Sequence, residues 1–180
     1  MTIAHDPAIQ AWLDQEDKQT VEMIRRYGVY IQYVGGDHCS ACARLGQARP
    51  SGEPDEPREA PFAYTVGLFG IGHPELSIVG VDPGTASTVL NDVSARVRAG
   101  HDLVPGELLT FEKWTHRVTV ESVPNPGEIA FAANQFYRRP DEYSVPMYQL
   151  TYDDRSGCFP WDEGYADAAW IQPRPGAWRA

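Results

Sequence analysis

A histidine and a glutamate stand two residues apart in the segment FAYTVGLFGIGHPEL, residues 62 to 76. His73 and Glu75 lie on one glycine-spaced loop after an apolar stretch, where functional side chains often sit. An imidazole, whose pKa is about 6.5, is the commonest general acid or base in proteins. The pair is therefore a candidate catalytic site, although Gly-x-Gly-x-Pro is also the sequence that a plain strand reversal needs.

The apolar stretch before this loop has two unlike faces. One face carries bulky apolar side chains: Phe62, Tyr64, Val66 and Leu68. The opposite face is small or polar in its middle: Ala63, Thr65, Gly67 and Phe69. The small face predicts either a hollow, in which the Thr65 hydroxyl and the Gly67 backbone reach a ligand, or a closely packed helix.

A second cluster of reactive side chains lies in TYDDRSGCFPWDEGY, residues 151 to 165. Its four carboxylates stand among aromatic residues and include Asp153 and Asp154. Paired carboxylates beside aromatic walls can perform acid–base chemistry or bind a hard cation. Asp-Asp-Arg-Ser-Gly is also a strong turn sequence, and Trp161 then pins the C-terminal segment onto the domain.

Two cysteines stand at C-x-x-C spacing in HCSAC, residues 38 to 42. Cys39 and Cys42 could clamp one zinc ion, but a complete site needs two further ligands and no second C-x-x-C or H-x-x-x-H follows. A redox pair and an ordinary reduced pair are the alternatives. Zinc is thus the one cofactor that the sequence suggests.

Composition excludes several classes of function. The net charge of -10 disfavours binding to nucleic acid or to anionic membranes. We find no apolar run long enough to span a bilayer and no signal peptide at the start, so a bacterial-type cytoplasm is the expected compartment. Phosphate-loop, hydrolase-elbow and zincin motifs are missing, and GLFGIG lacks the following helix of a dinucleotide site.

The pattern of elements predicts one α+β domain over residues 1–180. We expect a largely antiparallel or mixed sheet with about three helices over one face. The helices are predicted after Asp6, after Asp82 and over residues 129–137. The first is either continuous or divided in two at its polar middle, and it packs one face on the sheet. A Pro/Gly-rich excursion occupies residues 35–61, and an irregular aromatic segment occupies residues 155–180.

Four segments together resemble a known family: F-x-Y-T-V-G-L at 62–68, G-H-P-E-L at 72–76, L-N-D at 90–92, and Q-L-T-Y-D-D-x-x-G-x-F-P-W at 149–161 with Q-P at 172–173. The chain is similar to the bacterial domain-of-unknown-function family 4262 from about Tyr27 to Pro173. The resemblance supplies no reaction and no catalytic residues. This chain departs from it at residues 152–154, where Tyr-Asp-Asp stands in place of a common Trp-Pro-Asp.

Three functions fit these observations. The leading hypothesis is a domain that binds a small molecule or acts as an accessory module, with these binding residues: Tyr64, Thr65, Gly67, Gln149 and Trp161. A hydrolase-type enzyme is the second, with His73 as general base and Glu75 or Asp153 orienting it. The third is a protein-interaction module or homo-oligomer, which docks through Trp170 and Trp178.

Overall fold

Six strands form one mixed sheet in the computed structural model, which describes residues 7–35 and 60–180. The strands are β1 Tyr30–Val34, β2 Phe62–Val66, β3 Glu75–Val79, β4 Leu108–Leu109, β5 Val118–Ser122 and β6 Met147–Tyr152. Their order across the sheet is β1-β2-β3-β6-β5-β4. β3 and β6 are parallel, and the other neighbouring pairs are antiparallel. The predicted α+β class with a mixed sheet is confirmed.

Over residues 7–35 and 60–180 three α-helices accompany the sheet: α1 Pro7–Tyr27, α2 Pro83–Arg98 and α3 Phe131–Phe136. α2 begins where its sequence predicts, because the Asp82 carboxylate accepts hydrogen bonds from the Gly84 and Thr85 N–H groups, at 2.9 and 3.0 Å. Its apolar stripe is buried as predicted, namely Ala86, Val89, Leu90, Val93 and Val97.

The two faces of the sheet carry separate hydrophobic cores. Leu90 of α2 packs in one core with Ala63 and Ile78 from the sheet. Ala133 of α3 packs in the other core with Tyr64 of β2. The expectation that the helices cover one face is therefore wrong. Both faces of β2 and β3 are buried, since side chains alternate between two covered surfaces.

α1 departs from expectation in the burial of its side chains. It runs unbroken across the polar middle, where the sequence left open a division into two helices, and none of its side chains is buried although one face was expected to pack on the sheet. Ile24, near its C-terminal end, is partly buried against the second core, whereas Ile9 and Trp12 are 51% and 59% exposed. A helix can remain continuous over such a polar segment because Asp, Glu, Lys and Gln are tolerated on its solvent side.

β2 and β3 form the predicted antiparallel pair, with Phe62 opposite Val79. The first strand stops at Val66, three residues earlier than predicted, because the chain turns at Gly67, whose φ of 141° favours glycine. A short 3-10 turn over Phe69–Ile71 follows. The predicted loop excursion lies almost wholly in residues 36–59, outside the described residues.

Candidate functional site

Glu75 is fully buried at the start of β3, and its carboxylate holds the preceding turn together. One oxygen accepts from the Thr65 hydroxyl at 2.6 Å and from the Leu68 N–H at 3.3 Å. The other accepts from the Gly67 and Phe69 N–H groups at 2.8 and 3.0 Å. Burial raises the pKa of Glu75, and these donated hydrogen bonds act in the opposite direction. The carboxylate satisfies the donors of a turn and is turned away from His73.

His73 is 6% exposed and has no carboxylate partner among the described residues. Its Nδ1 lies 2.7 Å from the Pro74 carbonyl oxygen, which can only accept, so Nδ1 carries the proton. The Nε2 lone pair is then buried without a hydrogen-bond partner. The predicted pairing of this imidazole with Glu75 is not formed.

Asp153, the alternative partner of His73, lies at the far end of the sheet. Glu75 pairs with Met147 across β3 and β6. Asp153 follows six residues after Met147, which places it about 20 Å away along the strand. The three predicted catalytic residues are therefore not assembled into one site.

The hollow expected beside Thr65 is filled by the protein itself. Ala63 packs in the core that α2 covers, and Thr65 is fully buried with its hydroxyl bonded to Glu75. A Cβ added at Gly67 would lie 3.2 Å from the Gly28 carbonyl oxygen and 3.4 Å from Ile24, so the chain before β1 closes that end. The expectation of a ligand cavity on this face is wrong within the described residues.

Gln149 and Trp161, the remaining predicted binding residues, hold the C-terminal segment. The buried Gln149 amide donates to the Pro173 carbonyl at 2.9 Å and accepts from the Trp178 indole N–H at 2.9 Å. Trp161 stacks on Phe159, with ring centroids 5.0 Å apart. The Tyr64 hydroxyl has a different partner, since it accepts from the Ala132 N–H at 3.0 Å.

The tail tryptophans divide between exposed and packed positions. Trp170 is 50% exposed, as the interaction hypothesis requires. Trp178 packs its ring on Phe62 at 4.7 Å between centroids and is partly buried. Cys39 and Cys42 lie outside the described residues, and the part of the chain that the structure describes contains no cluster of metal ligands.

A pocket of about 410 Å³ lies where the two parallel strands end, and it is the site that best unites the reactive side chains. Residues from the ends of three strands line the pocket. Gly80, Val81 and Asp82 follow β3, Tyr152 ends β6, and Trp114 and His116 precede β5. Arg155 and Asp167 also line it. Loops at the carboxyl ends of parallel strands are frequent ligand sites in sheets of this kind.

His116 is held in one orientation by Asp153. Its Nδ1 lies 2.5 Å from the Asp153 carbonyl oxygen and 3.3 Å from a carboxylate oxygen of the same residue. Both groups accept, so the proton sits on Nδ1 and the lone pair on Nε2. Among the described residues no protein group is bonded to that Nε2. Arg117 fixes Asp153 in turn, through its backbone N–H at 2.9 Å and its Nε at 2.7 Å.

Aromatic rings form the wall around this imidazole. The His116 ring lies 5.0 Å from the Trp114 ring and 5.7 Å from the Tyr152 ring, between centroids. Burial raises the pKa of Tyr152, which stays a neutral phenol and donates to the Gly80 carbonyl at 3.2 Å. A Cβ at Gly80 would lie 2.1 Å from the Ile171 carbonyl oxygen, so this corner admits only glycine.

A larger cavity of about 540 Å³ lies beside α2 and also reaches Trp114. Of its two cations, Arg96 is already engaged, since it bonds to Asp92 and to the Thr110 carbonyl and lies 5.0 Å over the Phe111 ring. Lys113 and Glu112 also line this cavity, and no histidine is among its described lining residues.

Sequence reasoning missed His116 because nothing near it forms a recognised motif. The sequence signal that could have found it is the spacing of Trp114 and His116, which lie two residues apart directly before β5. This spacing places both side chains on one face of the strand. Its partner, Asp153, is 37 residues away in sequence. Only the pairing of β5 with β6 brings them together.

The sequence was also compared with known families and proteins. A family described as Domain of unknown function (DUF4262) matches residues 23–166. The chain belongs to this family. No curated protein and no solved structure matches the chain.

The DUF4262 match includes every strand of the sheet and most of the His116 pocket. Trp114, His116 and Tyr152 all lie within the matched residues, whereas Asp167 and Ile171 lie beyond them. The family relationship confirms the resemblance seen in the sequence and assigns no activity. Among the described residues of this DUF4262 protein, no helix has the length and apolar character that crossing a bilayer requires.

Proposed function

We propose that this DUF4262 domain binds a small molecule in the pocket beside His116. The observation that carries the proposal is the held imidazole, whose Nε2 faces no protein partner while Asp153 fixes its Nδ1. Because Asp153 already orients the imidazole, a ligand that hydrogen-bonds to it would lose little free energy in ordering it. Trp114 and Tyr152 add flat apolar surface on which an aromatic or heterocyclic ligand can pack.

A protein-observed NMR screen with small aromatic and heterocyclic fragments tests this proposal. Fragments should shift the Trp114 indole N–H and the His116 imidazole signals together. His116→Gln should weaken the best fragments at least about fivefold, because it removes a directional hydrogen bond to the ligand. Trp170→Ala is the matched control and should leave their affinities unchanged. A screen in which no fragment shifts Trp114 or His116 would refute the proposal.

Acid–base catalysis in the same pocket is a second candidate. It is favoured by the contact between Asp153 and His116 Nδ1, which leaves Nε2 free to accept a proton from a bound water. The predicted hydrolase then depends on His116 in place of His73. Hydrolysis of an activated aryl ester should fall at least about 100-fold in His116→Gln and persist in His73→Gln. Equal rates in the two variants would exclude it.

A further inference from the structure

A groove of about 420 Å³ lies on the opposite side of the molecule from the His116 pocket. α1 and α3 form its two sides, and β1 and β2 form its floor. Trp12, Glu16 and Thr20 stand four residues apart on α1, so one face of this helix points into the groove. The groove shares no lining residue with the His116 pocket.

Aromatic rings dominate the lining of this groove. They come from both sides and from the floor: Trp12, Tyr30, Tyr64, Phe131 and Phe136. Trp12 and Phe131 are 59% and 57% exposed and lie on the two sides of the same groove. Exposed apolar surface gathered in one place marks binding sites, and both rings are available to a ligand.

The charged groups that line the groove in the described part of the chain all have one sign. Glu16 and Asp17 line it, and no lysine or arginine is among its described lining residues. Glu16 lies close enough to the floor that its negative charge, after burial, helps to raise the pKa of the Tyr30 hydroxyl. With a net charge of -10 on the whole chain, an anion would be repelled from this surface.

Hydrogen bonds fix the floor of the groove in place. The Tyr64 hydroxyl accepts from the Ala132 N–H at 3.0 Å, which ties the start of α3 to β2. The Tyr30 hydroxyl donates to the Gln32 side chain at 2.9 Å. The rings are thus preorganised, and a ligand would lose little free energy in ordering them.

We propose that this groove is a binding site for an organic cation, namely an alkylammonium or quaternary ammonium group. Aromatic faces attract such cations through their quadrupoles, and the two carboxylates add direct attraction. A neutral apolar ligand would use the rings but leave Glu16 and Asp17 without a role. The site is separate from the function proposed above, so either proposal can fail alone.

The test is a comparison of choline with 3,3-dimethyl-1-butanol, its neutral isostere, on the full chain. NMR titration follows the Trp12 indole N–H, and calorimetry gives the affinities. Choline should bind saturably and at least about tenfold more tightly than the isostere. Equal affinity for the two molecules, or no shift of the Trp12 signal with choline, would overturn the proposal.

Exposed residues provide variants that keep the fold. Glu16→Gln and Trp12→Ala should each weaken choline binding about fivefold or more. Glu22→Gln on the same helix and Trp170→Ala, neither of which lines the groove, are the matched controls and should bind like the wild type. An unaltered affinity of Glu16→Gln for choline would contradict the proposal. Sedimentation and cross-linking measurements that show a second copy of the chain covering Trp12 would also contradict it.

Discussion

His73 and His116 show that two histidines with the same local hydrogen bond can lie in unlike environments. Each faces a backbone carbonyl oxygen with Nδ1, so both carry the lone pair on Nε2. The His73 Nε2 is buried without a partner, whereas the His116 side chain lines a pocket. The GHPE loop of the sequence is a strand reversal, and the imidazole that we propose as the binding group is His116.

Glu75 stabilises the fold at the residue scale, and Glu75→Gln tests this. The amide NH2 would place new donors against a turn that already presents donors from Thr65, Gly67 and Phe69. We expect a loss of about 1–3 kcal/mol in the free energy of unfolding, measured by urea titration. Glu142→Gln at an exposed position is the control, and an equal loss there would contradict this role.

The difference in stability between the wild type and Glu75→Gln should depend on pH, and the pKa shift of Glu75 gives its sign. Because burial raises the pKa of Glu75, the folded protein holds the proton more tightly than the unfolded chain does. The stability that this tighter proton binding contributes is fully present below the ordinary glutamate pKa. It falls as the pH rises through the pKa of Glu75 in the folded protein. The stability advantage of wild type over Glu75→Gln should therefore narrow with rising pH, and a widening advantage would show that the hydrogen bonds outweigh burial.

At the scale of elements, the C-terminal segment behaves as an irregular partner of β6. The buried Gln172 side chain donates to the Tyr152 carbonyl at 2.8 Å and accepts from the Tyr152 N–H at 2.7 Å, as a neighbouring strand would. Gln149 adds the contacts with Pro173 and Trp178. The segment thereby closes the back of the His116 pocket through Ile171.

Gln172→Ala should release this segment. It leaves the Tyr152 N–H and carbonyl without these partners in a buried position, which costs about 2–4 kcal/mol. Thermal unfolding would give the loss, and limited chymotrypsin digestion after Trp178, whose ring is partly buried against Phe62, should become faster. Gln15→Ala, at an exposed position of α1, is the control and should change stability by less than about 0.5 kcal/mol. Unchanged digestion of Gln172→Ala would show that other contacts hold the segment.

At the scale of the whole molecule, one sheet carries two cores that do not touch. Leu90 lies in the core under α2, and Ile129 lies in the core on the other face. If the sheet couples them into one cooperative unit, damage to either core should destabilise the whole domain.

Leu90→Ala should cost about 2–5 kcal/mol, and Ile129→Val about 0.5–1.5 kcal/mol. Because the two side chains share no core, the double variant should lose the sum to within about 0.5 kcal/mol. Tryptophan fluorescence and far-ultraviolet circular dichroism should report one transition in every variant. Two separated unfolding transitions would mean that the two cores unfold independently.

Local sequence alone was enough to predict several helices and strands of this protein. α2 and its buried stripe, the β2–β3 pair and the strand β6 follow from periodicity, capping by Asp82 and turn residues, all of which act over a few positions. The family could also be recognised from the sequence, because its motifs are short contiguous stretches.

The location of reactive groups was decided only by tertiary structure. The sequence predicted either a hollow or a closely packed helix on the strand face beside Thr65, and the structure fills that face with α2 and the chain before β1. The contact between His116 and Asp153 arises because β5 pairs with β6, and the groove beside Trp12 arises because α1 and α3 flank β1 and β2. Such contacts join residues far apart in sequence, and side-chain periodicity records which residues share a face but carries no information about what covers that face.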